Sequence, residues 1–206
     1  MRRQLPPPHL RSAYTLLEVL LALAVISVLA GVTIPSALRM YADSKLTDAA
    51  EKVRAMVGET RLHAINMGER FQFRYEKHGR HYVQIPVEVP IPVDTSNTTV
   101  VAPPRPPSRL GILPEGLHFT TENERLIQPG SEPISQPLNP DLFNDLPKSK
   151  DLAALDWSPA IIFAEDGSAN DASWIVVDTR KQAVPVEVRG LTGAATIAPM
   201  FPFKDR

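Results

Sequence analysis

The sequence contains no cysteine among its 206 residues. A disulfide framework and a cysteine-ligated metal site are therefore excluded, and thiols carry no information about the redox compartment. The chain also has no excess of either charge, because 22 basic residues face 23 acidic residues and the formal net charge is -1. A general nucleic-acid-binding protein needs a concentrated basic face to neutralise phosphates. This balance argues against that class, and we expect no nucleic acid partner.

Catalytic signatures are missing as well. The sequence has no nucleophile elbow, no HExxH zinc motif, no phosphate-binding glycine loop and no pair of acids in a recognisable catalytic frame. His78 and His81 could be imagined as metal ligands, but no third ligand lies near them in the sequence, and they are more typical of turn and strand surface. The sequence therefore predicts a protein that is not an enzyme, with no catalytic residue, no metal and no cofactor.

Proline is abundant, and thirteen of the 21 prolines fall between Pro86 and Pro147. Within the stretch 86–157, runs such as VEVPIPV and APPRPPSR favour extended, polyproline-like backbone. We expect this stretch to be a proline-rich insertion that faces a partner and lies outside the packed core. The piece LGILPEGLHFT inside it is more typical of a strand entered through a turn. Acidic residues in the insertion lack the spacing of a calcium loop.

The N-terminus begins with a basic flank, since the first thirteen residues carry three arginines and no acid. The 21 residues from Tyr14 to Ile34 follow, with Glu18 as their only charge. At about 1.5 Å rise per residue a helix of that length matches the roughly 30 Å hydrocarbon core of a bilayer. A basic flank stays in the cytoplasm, which places the remainder of the chain in the other compartment. The alternative is a secretory signal peptide cut before Gly31, but its apolar region is normally shorter and rarely contains a glutamate.

The stretch RSAYTLLEVLLALAVISVLAGVTIP resembles the class III leader and N-terminal helix of type IV pilins and of the pseudopilins of type II secretion. The resemblance implies that prepilin peptidase cuts between Ala13 and Tyr14 and that the new N-terminal Tyr14 is methylated. Glu18 is then the fifth residue after the cut, where the family keeps its glutamate. Pro35 stands where many relatives have a proline that loosens or kinks the helix. Two departures are the alanine at 13, where the family usually has glycine, and the tyrosine at 14, where it usually has phenylalanine.

A carboxylate inside a membrane span is costly, so Glu18 is a functional candidate. Cleavage would create a positive amino group at Tyr14. The carboxylate of Glu18 on a neighbouring subunit can neutralise that group inside the membrane or the filament core, which gives Glu18 a role in assembly. The alternative is an unassembled single-pass anchor in which Glu18 is protonated or reaches the interface.

Beyond Pro35 the sequence still predicts helix, ending at Gly68, which is a suitable C-terminal cap. Residues at spacings of three and four form one apolar stripe on this helix. These residues are Leu46, Ala49, Ala50, Val53, Met56, Val57, Thr60 and Ala64. The stripe is expected to cover a sheet.

Two further patterns predict β-structure. The alternation in RFQFRYEKHGRHYVQI predicts a hairpin that turns at 77–80 around Gly79. Four short apolar runs near the C-terminus predict an antiparallel meander. These runs are Ile161 to Phe163, Trp174 to Val177, Val184 to Val188 and Ala194 to Ile197.

The segments TRLHAINMGERFQF, LPEGL and FAEDGSAN followed by VEVRGLTGAATI are similar to the GspH/FimT group of minor pseudopilins, whose head is a helix on two small sheets. The expected fold class is α+β, with a long N-terminal helix, half transmembrane and half amphipathic, packed on an antiparallel β head in a pilin-like arrangement. The expected organisation is a cleaved leader at 1–13, a transmembrane helix at 14–35, an amphipathic helix at 36–68 and a periplasmic head at 69–206.

The resemblance implies a minor pseudopilin of a type II secretion system, held in the inner membrane by one span. Its implied partners are other pseudopilins or pilins, prepilin peptidase, the inner-membrane assembly platform and membrane lipid. Two alternatives stay open. One is a minor pilin of a type IV pilus used in adhesion, motility or DNA uptake, and the other is a plain membrane-anchored binding protein.

Overall fold

A computed structural model of the chain describes residues 15–87, 108–120, 140–143 and 145–203. The chain divides into two compact units, Met1–Ala42 and Asp43–Arg206. The long helix α1 (Leu16–Met67) contributes its first part to the first unit and its remainder to the second.

The second unit contains nine strands and two short helical segments among its described residues. The strands are β1 (Phe71–Tyr75), β2 (His81–Pro86), β3 (Arg109–Ile112), β4 (Leu117–Thr120), β5 (Ile161–Phe163), β6 (Ala172–Asp178), β7 (Gln182–Arg189), β8 (Ala194–Ile197) and β9 (Phe201–Pro202). The helical segments are a 3-10 turn at Pro140–Phe143 and α2 (Ser149–Ala153). The α+β fold class, with a long helix followed by antiparallel sheets, is confirmed.

The helix ends where the sequence predicts. Gly68 follows Met67 with a φ of 62°, the left-handed conformation that a helix C-cap requires and that glycine adopts without steric cost. The predicted stripe on the second part of α1 is buried, apart from the half-buried Met56. Thr60 is fully buried within it, and its hydroxyl donates a hydrogen bond to the Met56 carbonyl at 2.8 Å. A hydroxyl can therefore occupy the apolar stripe because the helix backbone satisfies it.

The first sheet has the order β3-β2-β1-β5, and all of its neighbours are antiparallel. The β1–β2 hairpin is confirmed, with Phe71 opposite Pro86 and Tyr75 opposite Tyr82. The second sheet has the order β4-β6-β7-β8, and β9 pairs with β7. The two sheets implied by the resemblance are thus present.

The predicted meander is only partly correct. Strands β6, β7 and β8 form it, whereas β5 pairs with β1 in the first sheet, with Phe163 opposite Phe71. The physical reason is that Phe163 and Ile161 belong to the main hydrophobic cluster on that sheet. The stretch between β5 and β6 then carries the chain from one sheet to the other. Strand β9 is missed because two residues, one of them proline, give no alternation.

One face of each sheet joins α1 in a single hydrophobic cluster. Aromatic rings fill its centre: Phe73 stacks on Trp174 with ring centroids 5.7 Å apart, and Tyr75 lies 5.2 Å from Phe119. Such aromatic pairs contribute about 0.5–1.5 kcal/mol each beyond their area burial. The cluster fixes the second part of α1 against both sheets.

The expectation that 86–157 lies outside the packed core is wrong for the described residues of that segment. On the opposite face of the first sheet, Val83 and Ile85 are buried in a second hydrophobic cluster, whose other members come from the insertion. These members are Leu142, Phe143, Leu146, Leu152 and Trp157. The physical reason is that a sheet with apolar residues on both faces needs a cover on each side. The prolines of 88–107 and 121–139 lie outside the described residues.

The same segment contributes to the main core. The piece LGILPEGLHFT is not one strand but two, because Gly116 at φ 83° turns the chain between β3 in one sheet and β4 in the other. Leu113 and Phe119 are almost wholly buried.

Candidate assembly segment

Thr15 forms the N-terminal cap of α1. The backbone N–H of Glu18 donates to the Thr15 hydroxyl at 3.3 Å and to the Thr15 carbonyl at 3.1 Å. The spacing of threonine and glutamate is that of a capping box, which is a local sequence signal for the start of a helix. Glu18 therefore lies in the first helical turn, where the helix dipole favours a negative charge.

The apolar side chains at the start of α1, on both sides of Glu18, are exposed. Leu16 and Leu17, for example, are 80% and 78% exposed. Among the described residues, α1 is the one helix that is long and apolar enough to cross a membrane, judged by length and composition. The hydroxyls of Ser27 and Thr33 each donate to the carbonyl four residues earlier at 2.8 Å. A polar side chain satisfied by its own helix is suited to an apolar environment.

Pro35 lies inside α1 and does not end it. A proline at this position removes one backbone donor from the helix ladder, and the predicted kink there stays a prediction. Ala13 and Tyr14, the predicted cleavage and methylation residues, lie outside the described residues. Of the predicted site residues, the structure thus places Glu18 and Pro35 on one helix.

At the beginning of the second unit, an arginine bridges α1 and the β6–β7 turn. Arg180 Nη2 lies 2.6 Å from Asp43 Oδ1 and 2.7 Å from Asp178 Oδ2. Hydrogen bonds from Arg180 to Asp43 and then to Asp178 raise the pKa of the guanidinium further above its ordinary value. Close by in sequence, Lys45 Nζ donates to the Glu115 carbonyl at 2.7 Å. These contacts fix the first turn of the second unit's helix, and no sequence pattern pointed to them.

Near the other end of α1, Arg61 Nε donates to the Gly167 carbonyl at 3.0 Å. The β7–β8 turn packs against the same place, since a Cβ on Gly193 would lie 2.2 Å from the Gly167 oxygen. Gly193 also has a φ of 60°. The glycines of the EDGS and RGLTG turns are therefore needed for close approach between two loops and the helix.

A third contact joins α1 to the first sheet. Gln84 on β2 donates through Nε2 to His63 Nδ1, and Glu59 Oε1 pairs with Arg109 Nη1 at 2.5 Å. Burial lowers the pKa of His63 below its usual value of 6.5, outweighing the nearby Glu59 carboxylate. His63 is therefore held neutral to a lower pH than a free histidine.

The two histidines of the hairpin occupy turn and strand positions. His78 sits in the turn with φ 57°, and His81 begins β2. Glu76 Oε2 accepts hydrogen bonds from His81 Nδ1 at 2.6 Å and from the Arg80 and His81 N–H groups. Burial acts to raise the pKa of Glu76, but these hydrogen bonds outweigh it and lower the pKa. Within the described ranges, no group of three or more His, Asp or Glu side chains is arranged to hold a metal ion.

Comparison with known proteins gives one family match. The model of the prokaryotic N-terminal methylation motif matches residues 9–34, a region that includes Ala13, Tyr14 and Glu18. The chain therefore carries a prepilin-type methylation motif at its N-terminus. No curated protein matches the sequence.

Solved structures give similarities at low identity. The minor pseudopilin EpsH from the type II secretion system of Vibrio cholerae has 12% identity and a TM-score of 0.43, covering 75% of this chain and 96% of that one. The type IV minor pilin FimU of Pseudomonas aeruginosa has 12% identity and a TM-score of 0.41, covering 75% of this chain and 93% of that one.

Proposed function

We propose that this chain is a minor pseudopilin, a structural subunit of the periplasmic pseudopilus of a type II secretion system. Its precursor is held in the inner membrane by 14–35, with the leader 1–13 in the cytoplasm and the head in the periplasm. Prepilin peptidase cuts between Ala13 and Tyr14, Tyr14 is methylated, and the assembly platform moves the subunit into the filament. The observation that supports this most strongly is the methylation-motif match to 9–34, which coincides with the exposed apolar start of α1.

The exposed apolar surface of α1 is suited to two successive environments, the lipid bilayer and the interior of the filament. Before assembly, lipid surrounds the side chains from Leu16 to Ile34. After assembly, neighbouring helices of the filament replace the lipid. Neither step leaves that surface in water, where a contiguous apolar area of this size would drive non-specific association.

The carboxylate of Glu18 makes the transfer of the helix from lipid to the filament specific. In lipid the charge is costly, and the first turn of the helix offsets only about 0.3–1 kcal/mol of that cost. In the filament the amino group of Tyr14 on a neighbouring subunit pairs with the carboxylate. Removal of one partner of a buried ion pair costs about 3–5 kcal/mol, because the other charge is left uncompensated. Glu18 therefore acts in assembly and not in insertion or cleavage.

Substitution of Glu18 tests this role. The variant Glu18→Ala should insert and be cut like the wild type but should enter filaments poorly. Incorporation is measured by crosslinking between subunits in cells. Glu51→Ala is a matched control, since Glu51 is exposed on the second part of α1 and pairs with Arg54 on the same helix at 2.7 Å. Equal incorporation of both variants would contradict the ion-pair mechanism.

The charges on β7 favour secretion over DNA uptake. The exposed residues of β7 are Glu187 and Arg189, of opposite sign, and they do not form the basic stripe that phosphate binding needs. Deletion of the gene should abolish secretion of exoproteins and leave surface pili intact. Loss of pili with normal secretion would instead assign the chain to a type IV pilus.

A further inference from the structure

The edges of the two sheets differ in how they are covered. The outer edge of β4 is bonded to the β1–β2 turn, with Phe119 N–H donating to the Gly79 carbonyl at 2.9 Å. The outer edge of β5 is bonded to the following turn, with Ile162 N–H donating to Asn170 Oδ1 at 2.6 Å. Covered edges of this kind prevent pairing with another chain.

Strand β8 is an uncovered edge. Ala198 N–H donates to the Pro185 carbonyl of β7, so in the antiparallel alternation Thr196 and Ala194 bond to β7. The backbone groups of Ala195 and Ile197 then point away from β7, and no described residue pairs with them. The strand also contains no lysine, glutamate or proline, the residues that commonly protect an edge. Strand β8 is thus competent to accept another strand.

A groove runs beside this edge, between β8 and the outer face of α1. Its helix wall includes Ala55, Gly58 and Leu62, and its other wall is Gly193 to Ala195. A Cβ placed on Gly58 would have no neighbour within 4 Å, so the wall leaves room beside the helix. An added strand would lie about 4.7–4.9 Å from β8, on the groove side.

Exposed apolar side chains occur on the segments next to the groove, and one of them, Leu62, lines it. Among the described residues of the second unit, four large apolar side chains are exposed, and three of them come from α1 and from the turn that precedes β8. These three are Leu62 at 53%, Ile65 at 39% and Leu191 at 93%. An apolar patch next to an open edge is typical of a protein interface.

The charge at the groove indicates what the occupant carries. Of the charged residues that line the groove, Arg54 is paired with Glu51 and Glu59 is paired with Arg109. Arg61 bonds to the Gly167 carbonyl and has no carboxylate partner among the described residues. A guanidinium has five donors and pairs best with a carboxylate. The occupant should therefore present an acidic side chain to Arg61.

We propose that β8 and the adjoining groove bind an extended segment of a neighbouring pilin-type subunit in the same filament. The segment pairs its backbone with Ala195 and Ile197, places an apolar side chain against Leu62 and Gly58, and directs a carboxylate to Arg61. This is β-strand addition, in which main-chain bonds supply affinity and the side-chain contacts supply specificity. The inference rests on the proposed function, because the partner is another subunit of the filament.

Site-specific photocrosslinking in cells tests the proposal with the full chain. A benzophenone amino acid replaces the exposed Thr196 on β8, Leu20 on the apolar helix, or, as a control, the exposed Lys150 on α2, which does not line the groove. Mass spectrometry of the adducts should show a pilin-type subunit attached at both 196 and 20, and nothing attached at 150. At 196 the attachment point should lie in an extended acidic segment of the partner.

The outcomes separate the two proposals. Adducts at 20 without an adduct at 196 would overturn strand addition and leave the proposed function standing. No pilin-type adduct at either position would overturn both. An adduct at 196 with a protein outside the filament, or with a helical segment, would overturn the proposed partner.

Charge reversal provides a second measurement. Arg61→Glu should lower the yield of the 196 adduct by at least about tenfold, because a close charge pair at an interface is worth about 1.5 kcal/mol or more. Lys52→Glu, on the same helix but outside the groove, is the matched control and should keep the yield. Equal yields in the two variants, both with wild-type melting curves, would contradict the assigned carboxylate at Arg61.

Discussion

The strongest test of the packing concerns Phe143, which lies in the proline-rich insertion and is fully buried. Its ring stacks on Trp157 with centroids 5.7 Å apart, and Trp157 is fixed by a hydrogen bond from Nε1 to the Leu152 carbonyl at 2.7 Å. Truncation of a buried phenylalanine to alanine costs about 3–5 kcal/mol, of which the aromatic pair supplies about 0.5–1.5 kcal/mol. Domains are stable by only about 5–15 kcal/mol, so Phe143→Ala removes a large part of the stability.

The magnitude can be measured as a melting temperature. For a unit of this size each kcal/mol shifts the midpoint by roughly 2–4 °C, so Phe143→Ala should lower it by roughly 6–20 °C. Circular dichroism of the purified full-length protein in detergent follows the transition. Leu191→Ala, at a side chain that is 93% exposed, is the control and should stay within about 0.5 kcal/mol of the wild type. If the two variants melt alike, the insertion does not pack on the first sheet and the second cluster is wrong.

Three further predictions concern the second unit. Gly193→Ala should destabilise the unit by at least about 2 kcal/mol, because the residue has a φ of 60° and no room for a Cβ. Gly58→Ala should stabilise it by about 0.5–1 kcal/mol, because a Cβ there has free space and alanine favours helix over glycine. Denaturant titration of the two variants measures both effects. Arg180→Ala should cost about 1–2 kcal/mol by leaving the buried Asp178 carboxylate without its cation, and unchanged stability would refute that bridge. The folded-state pKa of His63 lies below 6.5, so the unfolded chain takes up the proton first and stability should fall as the pH drops from about 7 to about 5. The fall should be smaller in His63→Gln, and an identical pH profile would show that His63 does not contribute.

Sequence periodicity was sufficient for elements whose pattern is local. The stripe from Leu46 to Ala64 repeats at helical spacing, and the β1–β2 hairpin alternates around a glycine turn, so both were predicted with nearly the observed bounds. Gly68 marked the helix end because only a left-handed residue fits there.

The sheet to which each strand belongs and the contacts between distant residues could not be predicted from local periodicity. The run at β5 has the same apolar character as the strands of the meander, and only its contacts with Phe71 and the main cluster decide that it joins the first sheet. Proline content suggested that 86–157 was unpacked, yet Phe143 and Trp157 lie within that segment and cover a second apolar face of the first sheet. The bridge from Arg180 to Asp43 spans 137 positions of the sequence and has no local signal.

The residues of the candidate assembly segment were predicted from a local motif in the N-terminal sequence and not from packing. The glutamate in an apolar run, the basic flank and the aromatic residue after Ala13 are neighbours in sequence, which is why Ala13, Tyr14, Glu18 and Pro35 could be named. The open edge of β8 depends on which other strands are covered, and that follows only from the three-dimensional arrangement.

The central claim is that this chain is processed as a prepilin, and N-terminal analysis of the protein extracted from membranes tests it most directly. Intact mass and N-terminal sequencing should show a chain that begins at methylated Tyr14 and lacks the first thirteen residues. A chain that begins at Gly31 would indicate an ordinary signal peptide, and a chain that retains Met1 would indicate a plain membrane anchor. Either result would contradict the account.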